Sequence, residues 1–386
     1  GYAGLRTADA EPGGHAGGAS PAPAFHPWST ALRTGAGTSR TPVCTAGAAS
    51  SGALYCSAPG VVAARLDAAD GHVVWSVSGP GKSGTADTVA GDTGPVLSGG
   101  LLYVTAAADG GRLEALDPAT GKQRWSVPLA GFPTVRHTAD AVFLVSADGR
   151  SVRCLDAATG TVRWSRRLAA RAGVWADPGG AGPALYTVVP APDGASSTVS
   201  ALDPATGSAL WSTRADGALT PVGGSGGALW ALSQRPDGAT DALVRLDAAG
   251  ARRVRLPQPV DQAQATVAGG AAYVMSYAGA LTALDTREGA RRPVLWTLQT
   301  AVTQGSRPTA DAAGHVFVTA GDGRLLAVDA RRGTLLAATP PRLGAQRSTV
   351  AGALPPPLVT SGGAEVVAPA PDGSVFARDA RRPSDW

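Results

Sequence analysis

The sequence of 386 residues contains no asparagine and no isoleucine, and its two lysines are Lys82 and Lys122. These residue types have AT-rich codons, so their scarcity indicates a GC-rich genome and explains why most basic side chains are arginines. Without asparagine the chain has no acceptor for N-glycosylation. No apolar run reaches the roughly 18 residues that a transmembrane helix needs, so we expect no segment of this chain to span a membrane.

The chain also lacks a strong charge of either sign. Charged residues make up 16% of the sequence, and the formal net charge is +4. A nucleic-acid-binding domain is expected to show a continuous basic stripe with aromatic residues on which bases stack. The sequence has no such stripe, and aromatic residues make up 5% of it. We therefore expect no nucleic-acid partner.

Glycine and proline, in contrast, are abundant, with 52 and 30 residues. Both mark turns, and many turns imply many short elements, which are typical of an all-β chain. Residues 1–24 consist mainly of Gly, Ala, Pro and Ser and show no hydrophobic period. We interpret residues 1–24 as a disordered linker or tail and residues 25–386 as a single domain.

Cysteine is rare, and the three cysteines are Cys44, Cys56 and Cys154. A turn-like stretch, residues 47–52, lies midway between the first two. If the chain forms a hairpin there, Cys44 and Cys56 face each other across neighbouring strands, about 4.5 to 5.5 Å apart in a non-hydrogen-bonded pair. We predict a disulfide between them and hence an oxidising, extracytoplasmic compartment; the alternative is two buried free thiols. We expect Cys154 to be a small, buried and unreactive side chain.

A repeat extends along the chain from about residue 25. Its clearest copies are residues 113–125, 152–164 and 199–211, which share Leu-Asp, then Ala-Thr-Gly, then Trp. The central aspartate recurs at intervals of 38 to 50 residues, at Asp67, Asp117, Asp156, Asp203, Asp247, Asp285, Asp329 and Asp379. A β-rich repeat of this length is typical of propeller blades, each a sheet of four strands. Eight aspartates predict an all-β, eight-bladed β-propeller; seven blades are the alternative, because the last copy is truncated.

Each part of the repeat has a predicted structural role. Alternating apolar residues before the aspartate predict a strand, and Asp-x-x-x-Gly predicts a turn in which the carboxylate accepts backbone N–H bonds and glycine adopts a positive φ. A tryptophan four residues after the glycine lies on the returning strand, where we expect its ring to pack between neighbouring blades. The residues with these roles are Asp67, Asp117, Asp156, Asp203, Asp285 and Asp329, together with Trp75, Trp125, Trp164 and Trp211.

The ring of blades must close, because open sheet edges favour aggregation. Residues 27–29, Pro-Trp-Ser, look like an orphan outer strand, and we predict that they complete the last blade. We expect that blade's own outer strand to begin at residues 384–386.

The pattern Ala-Leu-Asp-x-x-Thr-Gly-x-x-x-Trp resembles the repeat of pyrroloquinoline-quinone (PQQ)-type propellers over most of residues 42–386. Three groups of such proteins are relevant: quinoprotein dehydrogenases, outer-membrane assembly lipoproteins, and the extracytoplasmic ends of actinobacterial membrane serine/threonine kinases. The low-complexity head, the strand at residues 54–56 and the composition without Asn or Ile are most similar to the kinase group. The resemblance implies a cell-surface sensor domain of a receptor kinase, anchored through a membrane segment upstream.

The same resemblance defines two alternatives. An envelope assembly scaffold would use the ring as a protein-binding surface. A PQQ-dependent dehydrogenase would need a disulfide between adjacent cysteines under the quinone and an asparagine in its calcium site, and this chain has neither. We therefore expect neither PQQ nor calcium as a cofactor and no catalytic residue in this chain. The five histidines show no metal-ligand spacing, so we predict no metal site.

Pairs of arginines follow the aspartates of the last four repeats, at Arg252–Arg253, Arg291–Arg292, Arg331–Arg332 and Arg381–Arg382. Equivalent turns of a propeller lie on one rim, so these pairs predict a basic arc along half of that rim. One interpretation is a solvated rim whose arginines reflect the genome. The other is contact with an anionic polymer, lipid head groups or a partner protein.

The opposite face of a propeller has a pocket at the mouth of the channel, between the loops that join the blades. We expect polar or aromatic residues just before each innermost strand to line it. The candidates are Arg40, Asp92, Arg136, Trp175, Gln264 and Arg307. The sequence therefore predicts non-catalytic recognition of an unknown small ligand, a cell-wall fragment or a protein.

Overall fold

The computed structural model describes residues 25–32, 41–48, 50–79, 94–106, 111–178, 184–344, 354–360 and 362–386. These residues form eight four-stranded antiparallel sheets, which confirms the prediction of an all-β propeller with eight blades rather than seven. The predicted linker over residues 1–24 lies outside the described residues. None of the described helices is long and apolar enough to cross a membrane.

The first four blades follow the chain in order. Blade 1 contains β2 (Val43–Ala46), β3 (Ala53–Ala58), β4 (Val61–Asp67) and β5 (Val73–Ser78). Blade 2 contains β6 (Val96–Ser98), β7 (Leu101–Ala106), β8 (Arg112–Leu116) and β9 (Gln123–Pro128). Blade 3 contains β10 (Thr134–His137), β11 (Ala141–Val145), β12 (Ser151–Asp156) and β13 (Val162–Arg167). Blade 4 contains β14 (Gly173–Ala176), β15 (Leu185–Pro190), β16 (Ser196–Leu202) and β17 (Ala209–Asp216).

The last four blades continue this order, except that blade 8 takes one strand from the start of the chain. Blade 5 contains β18 (Ala218–Ser225), β19 (Ala228–Gln234), β20 (Thr240–Asp247) and β21 (Gly250–Val260). Blade 6 contains β22 (Gln264–Ala268), β23 (Ala271–Met275), β24 (Ala280–Asp285) and β25 (Val294–Gln299). Blade 7 contains β26 (Thr309–Ala310), β27 (His315–Thr319), β28 (Leu325–Asp329) and β29 (Leu335–Ala338). Blade 8 contains β30 (Leu358–Val359), β31 (Glu365–Pro369), β32 (Ser374–Asp379) and β1 (Trp28–Ala31).

The first strand of each blade lies at the centre of the ring and the fourth at its outer edge. First strands of successive blades contact each other, as β10 does with β14, β18 with β22 and β22 with β26. Strand β2 of blade 1 contacts β30 of blade 8. The eight sheets therefore form a closed ring around a central channel.

Strand β1 closes the ring by pairing antiparallel with β32, with Trp28 opposite Ala377. This confirms the prediction that residues 27–29 complete the last blade. The strand expected at residues 384–386 is wrong, because Pro383–Asp385 form a 3-10 turn instead. The reason is that β1 already occupies the outer edge of β32, which leaves no edge there for a further strand of blade 8.

The disulfide between Cys44 and Cys56 is present, with the two residues directly opposite each other on β2 and β3 and their Cα atoms 4.0 Å apart. The register predicted from the hairpin is therefore confirmed. The remaining cysteine, Cys154, is fully buried among apolar residues between blades 3 and 4. Burial raises the pKa of its thiol to about 11, as expected for an unreactive side chain.

The tryptophan of one blade bonds to the turn of the next blade. In each such contact the indole N–H donates to the carbonyl of the residue that follows the repeat aspartate. The bonds are Trp28 to Ala68 (2.9 Å), Trp75 to Pro118 (3.0 Å), Trp125 to Ala157 (3.1 Å), Trp164 to Pro204 (2.9 Å) and Trp296 to Ala330 (2.8 Å). The predicted packing between blades is confirmed for Trp75, Trp125 and Trp164, and the hydrogen bond fixes where each of these rings lies.

The turn itself is shaped by the aspartate and the glycine. Asp117 Oδ1 accepts the N–H of Ala119 at 2.8 Å, and Gly121 has φ of 74°. A Cβ at Gly121 would lie 2.7 Å from a ring carbon of Trp75. Glycine is therefore required twice, for its backbone conformation and for the close approach of the preceding blade's tryptophan.

Three seams between blades depart from this rule. Between blades 4 and 5 the Trp211 ring packs at the apolar cluster, but among the described residues it is Thr213 Oγ1 that donates to the next turn, to Asp247 O at 2.7 Å. In blade 5, Arg252 takes the tryptophan position, and its Nη2 donates to Thr286 O at 2.8 Å while its guanidinium lies over the Trp230 ring. In blade 7 the position is occupied by Ala337. There Trp386, which follows the last blade, stacks on Phe317 and donates to Asp379 O at 2.8 Å. In each case another side chain donates to the carbonyl of the repeat aspartate or of the residue that follows it.

The repeat glycine provides a matched test of the seam contact. Gly121 and Gly289 have almost the same φ, but a Cβ at Gly289 would have no atom within 4 Å, because blade 5 has Arg252 in place of tryptophan. We expect Gly289→Ala to lower the free energy of unfolding by about 1 kcal/mol, from backbone strain alone. Gly121→Ala adds a clash and should cost about 2 to 4 kcal/mol in urea unfolding. Equal losses would show that the Trp75 contact does not constrain Gly121.

Trp386 provides a second prediction about the seams. Replacing it with Ala empties the space beside Ala337 and should lower the free energy of unfolding by about 2 to 3 kcal/mol, less than for a fully buried ring. Trp386→Phe keeps the stacking on Phe317 but loses the bond to Asp379 O, so we expect a cost of about 1 kcal/mol. Chemical denaturation measures both variants, and an unchanged midpoint for Trp386→Ala would contradict a stabilising role.

Candidate functional site

Two of the channel-mouth candidates, Gln264 and Arg307, lie close together near the first strands of blades 6 and 7. The Arg307 guanidinium donates to Thr266 Oγ1 at 3.0 Å and to Val222 O at 2.7 Å. It therefore joins the connection into blade 7 to the inner strands of blades 6 and 5. Gln264 Nε2 makes a long contact of 3.5 Å with Gly305 O, on the same connection.

Arg136 and Trp175 form a second pair, on the inner strands of blades 3 and 4. Arg136 Nε donates to Val174 O at 2.9 Å, next to Trp175. The Trp175 ring packs against Tyr186, with centroids 5.9 Å apart, at the edge of the apolar cluster between blades 4 and 5. Both residues thus contribute to contacts between or within blades.

The expected placement of these candidates needs correction. Arg136 and Trp175 lie within strands β10 and β14 rather than before them, whereas Gln264 begins β22 and Arg307 precedes β26. The inner strands of blades 3 and 4 begin earlier than the sequence pattern indicated. Arg40 and Asp92 lie outside the described residues. A ligand-binding role for the six residues stays a prediction.

The basic rim is present in three of the four predicted blades. Arg291–Arg292, Arg331–Arg332 and Arg381–Arg382 are exposed and lie at or just beyond the turns that follow the repeat aspartates. The placement of Arg252–Arg253 on such a turn is wrong, because both lie in β21. The turn of blade 5 has glycine three rather than four residues after Asp247, so the strand resumes earlier. Arg253 instead donates to Ser233 Oγ at 3.0 Å and to Asp216 O at 2.6 Å.

Two of the repeat aspartates, Asp156 and Asp285, are not suited to donate protons. The Arg287 side chain and backbone N–H bind Asp285 and hold the pKa of its carboxyl at about 2. Arg163 likewise lowers the pKa of Asp156 through a side-chain bond of 2.8 Å. These carboxylates stay ionised at neutral pH, so their role is to shape turns.

The described residues line at least two depressions. We call the face of the ring that carries the turns after the repeat aspartates the turn face. The larger depression, about 670 Å³, lies on this face between blades 1 and 2, and its lining includes Tyr55, Arg65, Ser98 and Asp117. Its polar groups are already engaged in part, since Arg65 Nη1 donates to Pro118 O at 3.3 Å. The smaller, about 340 Å³, lies in the outer wall between blades 5 and 6. Neither depression could be predicted from the repeat pattern, because residues of separate blades line them.

One cluster with metal-ligating side chains was also missed. Asp67, Asp70 and His72 bring ligand atoms within 4.8 Å of one another on the exposed turn of blade 1. Asp70 Oδ1 contacts His72 Nδ1 at 2.6 Å and accepts the His72 backbone N–H at 3.0 Å. These bonds are part of the turn, and they account for the closeness of the three side chains without a metal.

His137, at the end of β10, is a buried titratable group. It is buried beside Tyr103, with ring centroids 4.9 Å apart, and its Nδ1 has no hydrogen-bond partner among the described residues. Burial, with a smaller contribution from Arg136, lowers the pKa of its imidazole to about 4. The ring is therefore neutral at physiological pH and packs as a core residue.

The eight sheets, the Asp-turn-Gly-Trp seams and the inner channel define a propeller of the PQQ-repeat class. The chain belongs to the family described as outer membrane protein assembly factor BamB, whose model matches residues 39–191 and 195–386. A curated relative, the quinohemoprotein alcohol dehydrogenase ADH-IIG of Pseudomonas putida, is 35% identical over 103 residues. That match covers 26% of this chain and only 13% of the enzyme's length.

Solved structures resemble the whole ring at low sequence identity. BamB from Moraxella catarrhalis is 19% identical with a TM-score of 0.58, over 88% of this chain and 96% of that one. The computationally designed protein Ika8 is 16% identical with a TM-score of 0.62, over 89% and 97%. The quinohemoprotein alcohol dehydrogenase of Comamonas testosteroni is 17% identical with a TM-score of 0.56, over 92% and 76%. Such likeness shows the fold. The disulfide and the family indicate an extracytoplasmic or envelope location.

The residues of this chain do not fit the PQQ site that the sequence resemblance implies. The quinone in those enzymes stacks on a disulfide of adjacent cysteines, whereas the disulfide here joins two strands of blade 1 through Cys44 and Cys56, and Cys56 is fully buried. The chain has no asparagine for the calcium site. We derive no catalytic step through this cofactor.

The buried imidazole predicts a pH dependence of stability. Because the pKa of His137 falls from an ordinary value near 6.5 to about 4 on folding, the unfolded chain binds the extra proton as the pH drops through this range. The free energy of unfolding should therefore decrease as the pH is lowered. This group should account for a decrease of about 3 kcal/mol between pH 6.5 and pH 4. His137→Phe should remove that part of the slope in urea titrations at several pH values. An unchanged slope would contradict a buried neutral imidazole.

Proposed function

We propose that this chain is a non-catalytic recognition domain of the cell envelope. The proposal is supported by the hydrogen bonds that the polar and aromatic side chains of the ring already make. The tryptophans bind backbone carbonyls of neighbouring blades, and so do Arg136 and Arg307 near the channel. The repeat carboxylates cap turns. Side chains that a catalytic site would need are thus engaged in holding the ring together.

The surface that remains for recognition is the turn face. It carries the depression between blades 1 and 2 and the exposed arginine pairs of blades 6 to 8. A rigid ring with different side chains on equivalent turns is suited to bind a partner across several blades. The ligand class we propose is a small ligand, a cell-wall fragment or a protein.

In its specific form, the proposal is that this chain is the sensor domain of a receptor serine/threonine kinase, tethered to the membrane upstream. The support is the resemblance of the sequence to that group, together with the disulfide that indicates an oxidising compartment. Binding to the ring would change the proximity or orientation of attached kinase domains. The full coding sequence tests this form, which requires a membrane segment and a kinase domain before the ring.

A second candidate is an assembly scaffold for envelope proteins. The family match favours it, and so does the outer edge of the ring, where β17 presents eight residues, Ala209–Asp216, with Leu210 exposed. An outer strand has unpaired backbone groups on one side, which are a template for an extended segment of another protein. A lipidated cysteine upstream and no kinase domain would favour this candidate over the sensor.

A thermal-shift experiment on the purified chain tests recognition against catalysis. We expect PQQ with calcium to leave the melting temperature unchanged and to support no dye reduction with alcohols or sugars. A fragment from a cell-wall digest that binds only the folded chain should stabilise it by about 2.7 kcal/mol at a hundred times its dissociation constant. A calcium-dependent shift with PQQ together with dye reduction would overturn the proposal and show a quinoprotein enzyme.

A further inference from the structure

A β-bulge recurs at the outer edge of the ring, just after the turn that carries the repeat aspartate. In blades 1 to 4, 6 and 7, the register between the third and fourth strands shifts at this point. One residue of the fourth strand is then left without a partner and points outwards. The bulge residues are Val74, Arg124, Arg163, Leu210, Leu295 and Leu336, and all are exposed.

The side chains at the bulge fall into two groups. In blades 2 and 3 they are arginines that turn back to the aspartate of their own turn, at 3.4 Å for Arg124 and 2.8 Å for Arg163. In the other blades they are apolar and face solvent, with 48% of Leu295 and 39% of Leu336 exposed. Leu335, beside Leu336, is 51% exposed. Because these leucines remain exposed, they contribute little to the free energy of folding.

In blades 6 and 7 the exposed leucines lie beside arginine pairs. The turn before Leu295 carries Arg291–Arg292, and the turn before Leu335 and Leu336 carries Arg331–Arg332. In the described parts of the chain, none of these four arginines forms an ion pair, whereas Arg287 binds Asp285. We call the set Arg291, Arg292, Leu295, Arg331, Arg332, Leu335 and Leu336 the basic corner.

The same corner of blade 4 lacks this combination. Leu210 occupies the bulge there and is 54% exposed, but its turn carries Pro204, Ala205 and Thr206 in place of arginines. In blade 8, which follows blade 7, Arg381–Arg382 extend the positive charge, although Arg381 is partly neutralised by Asp379 at 3.4 Å. Glu288 is the exposed acidic residue within the basic corner's turns, so the arginines outnumber the free carboxylates there.

We propose that the basic corner contacts the surface of an anionic lipid bilayer. Arginines beside exposed leucines are the combination that binds such surfaces, because the apolar side chains enter the boundary between head groups and acyl chains while the guanidinium groups pair with phosphates. The corner lies on exposed turns and outer strands of the ring, and none of its residues lines either of the two depressions described above. An exposed surface of this kind fits a bilayer, whereas an acidic peptide would favour a groove.

The arginine pairs of blades 6 and 7 belong to the turn face described above, but contact with a bilayer does not require the ligand or partner of the proposed function. It concerns how the ring lies against a membrane, with its edge at blades 6 and 7 on the bilayer and blades 1 to 4 on the far side of the ring. The depression between blades 1 and 2 would then remain open to the surrounding solution.

Flotation with lipid vesicles tests the proposal on the whole chain. We expect it to bind vesicles of equal parts phosphatidylglycerol and phosphatidylcholine, not vesicles of phosphatidylcholine alone, and to bind less as salt is raised. The double change Arg331→Ser and Arg332→Ser should weaken binding by roughly tenfold or more, because both arginines attract the anionic surface. These side chains are exposed, so thermal melts should show an unchanged fold.

The leucines distinguish a bilayer from a simple anionic polymer. Leu295→Ser with Leu336→Ser should weaken vesicle binding, whereas Leu210→Ser, at the same bulge position in blade 4, should not. No binding to anionic vesicles would overturn the proposal, and so would an equal loss with Leu210→Ser. Binding to polyglutamate as tight as to the vesicles, and insensitive to the leucine changes, would assign the corner to an acidic polymer instead.

Discussion

The bond from a tryptophan indole to a carbonyl of the next blade is the contact on which the ring depends. It links two sheets that share no strand, and it lies directly over the glycine of the receiving turn. The turn must therefore be bent by the aspartate and lack a side chain at the glycine. Aspartate, glycine and tryptophan therefore recur together. The aspartate bends the turn, the glycine leaves room for the ring, and the tryptophan donates the hydrogen bond.

The same constraint bears on function. The polar groups of the repeat form contacts between blades, so these residues cannot vary freely. Residues can differ from blade to blade at other positions, namely in the turns, at the bulge and in the inner strands. Arg252 shows the limit of this freedom, because an arginine that replaces tryptophan still reaches the next blade through Thr286 O. The differences between blades are consequently found on the rim, where the turns of blades 6 and 7 carry arginines and that of blade 4 does not.

Much of the fold could be predicted from the sequence because its spacing is set by local chemistry. Asp-x-x-x-Gly specifies a turn, and a hairpin centred between Cys44 and Cys56 specifies their pairing. Features that depend on distant blades could not be predicted in the same way. Nothing near Trp386 in sequence shows that Ala337 leaves space for its ring. The position of Arg252 depended on a turn whose glycine, Gly250, follows the aspartate by three residues rather than four.

The candidate site was less accessible to sequence analysis than the fold. Which residues precede an inner strand depends on where that strand begins, and Arg136 and Trp175 proved to lie inside strands. The bulge at Leu336 follows from a register shift that only paired strands reveal. Binding surfaces of a propeller combine residues from separate blades, so the repeat pattern alone does not define them.

Hydrogen exchange of the folded chain, measured by mass spectrometry, tests most directly whether the seam contacts hold the ring together. If they do, the turn at Gly289, which receives Arg252 and not tryptophan, should open more readily than the turns at Gly121 and Gly160. We predict faster exchange for residues 285–293 than for residues 117–122 and 156–161. Equal protection of the three turns would contradict the account.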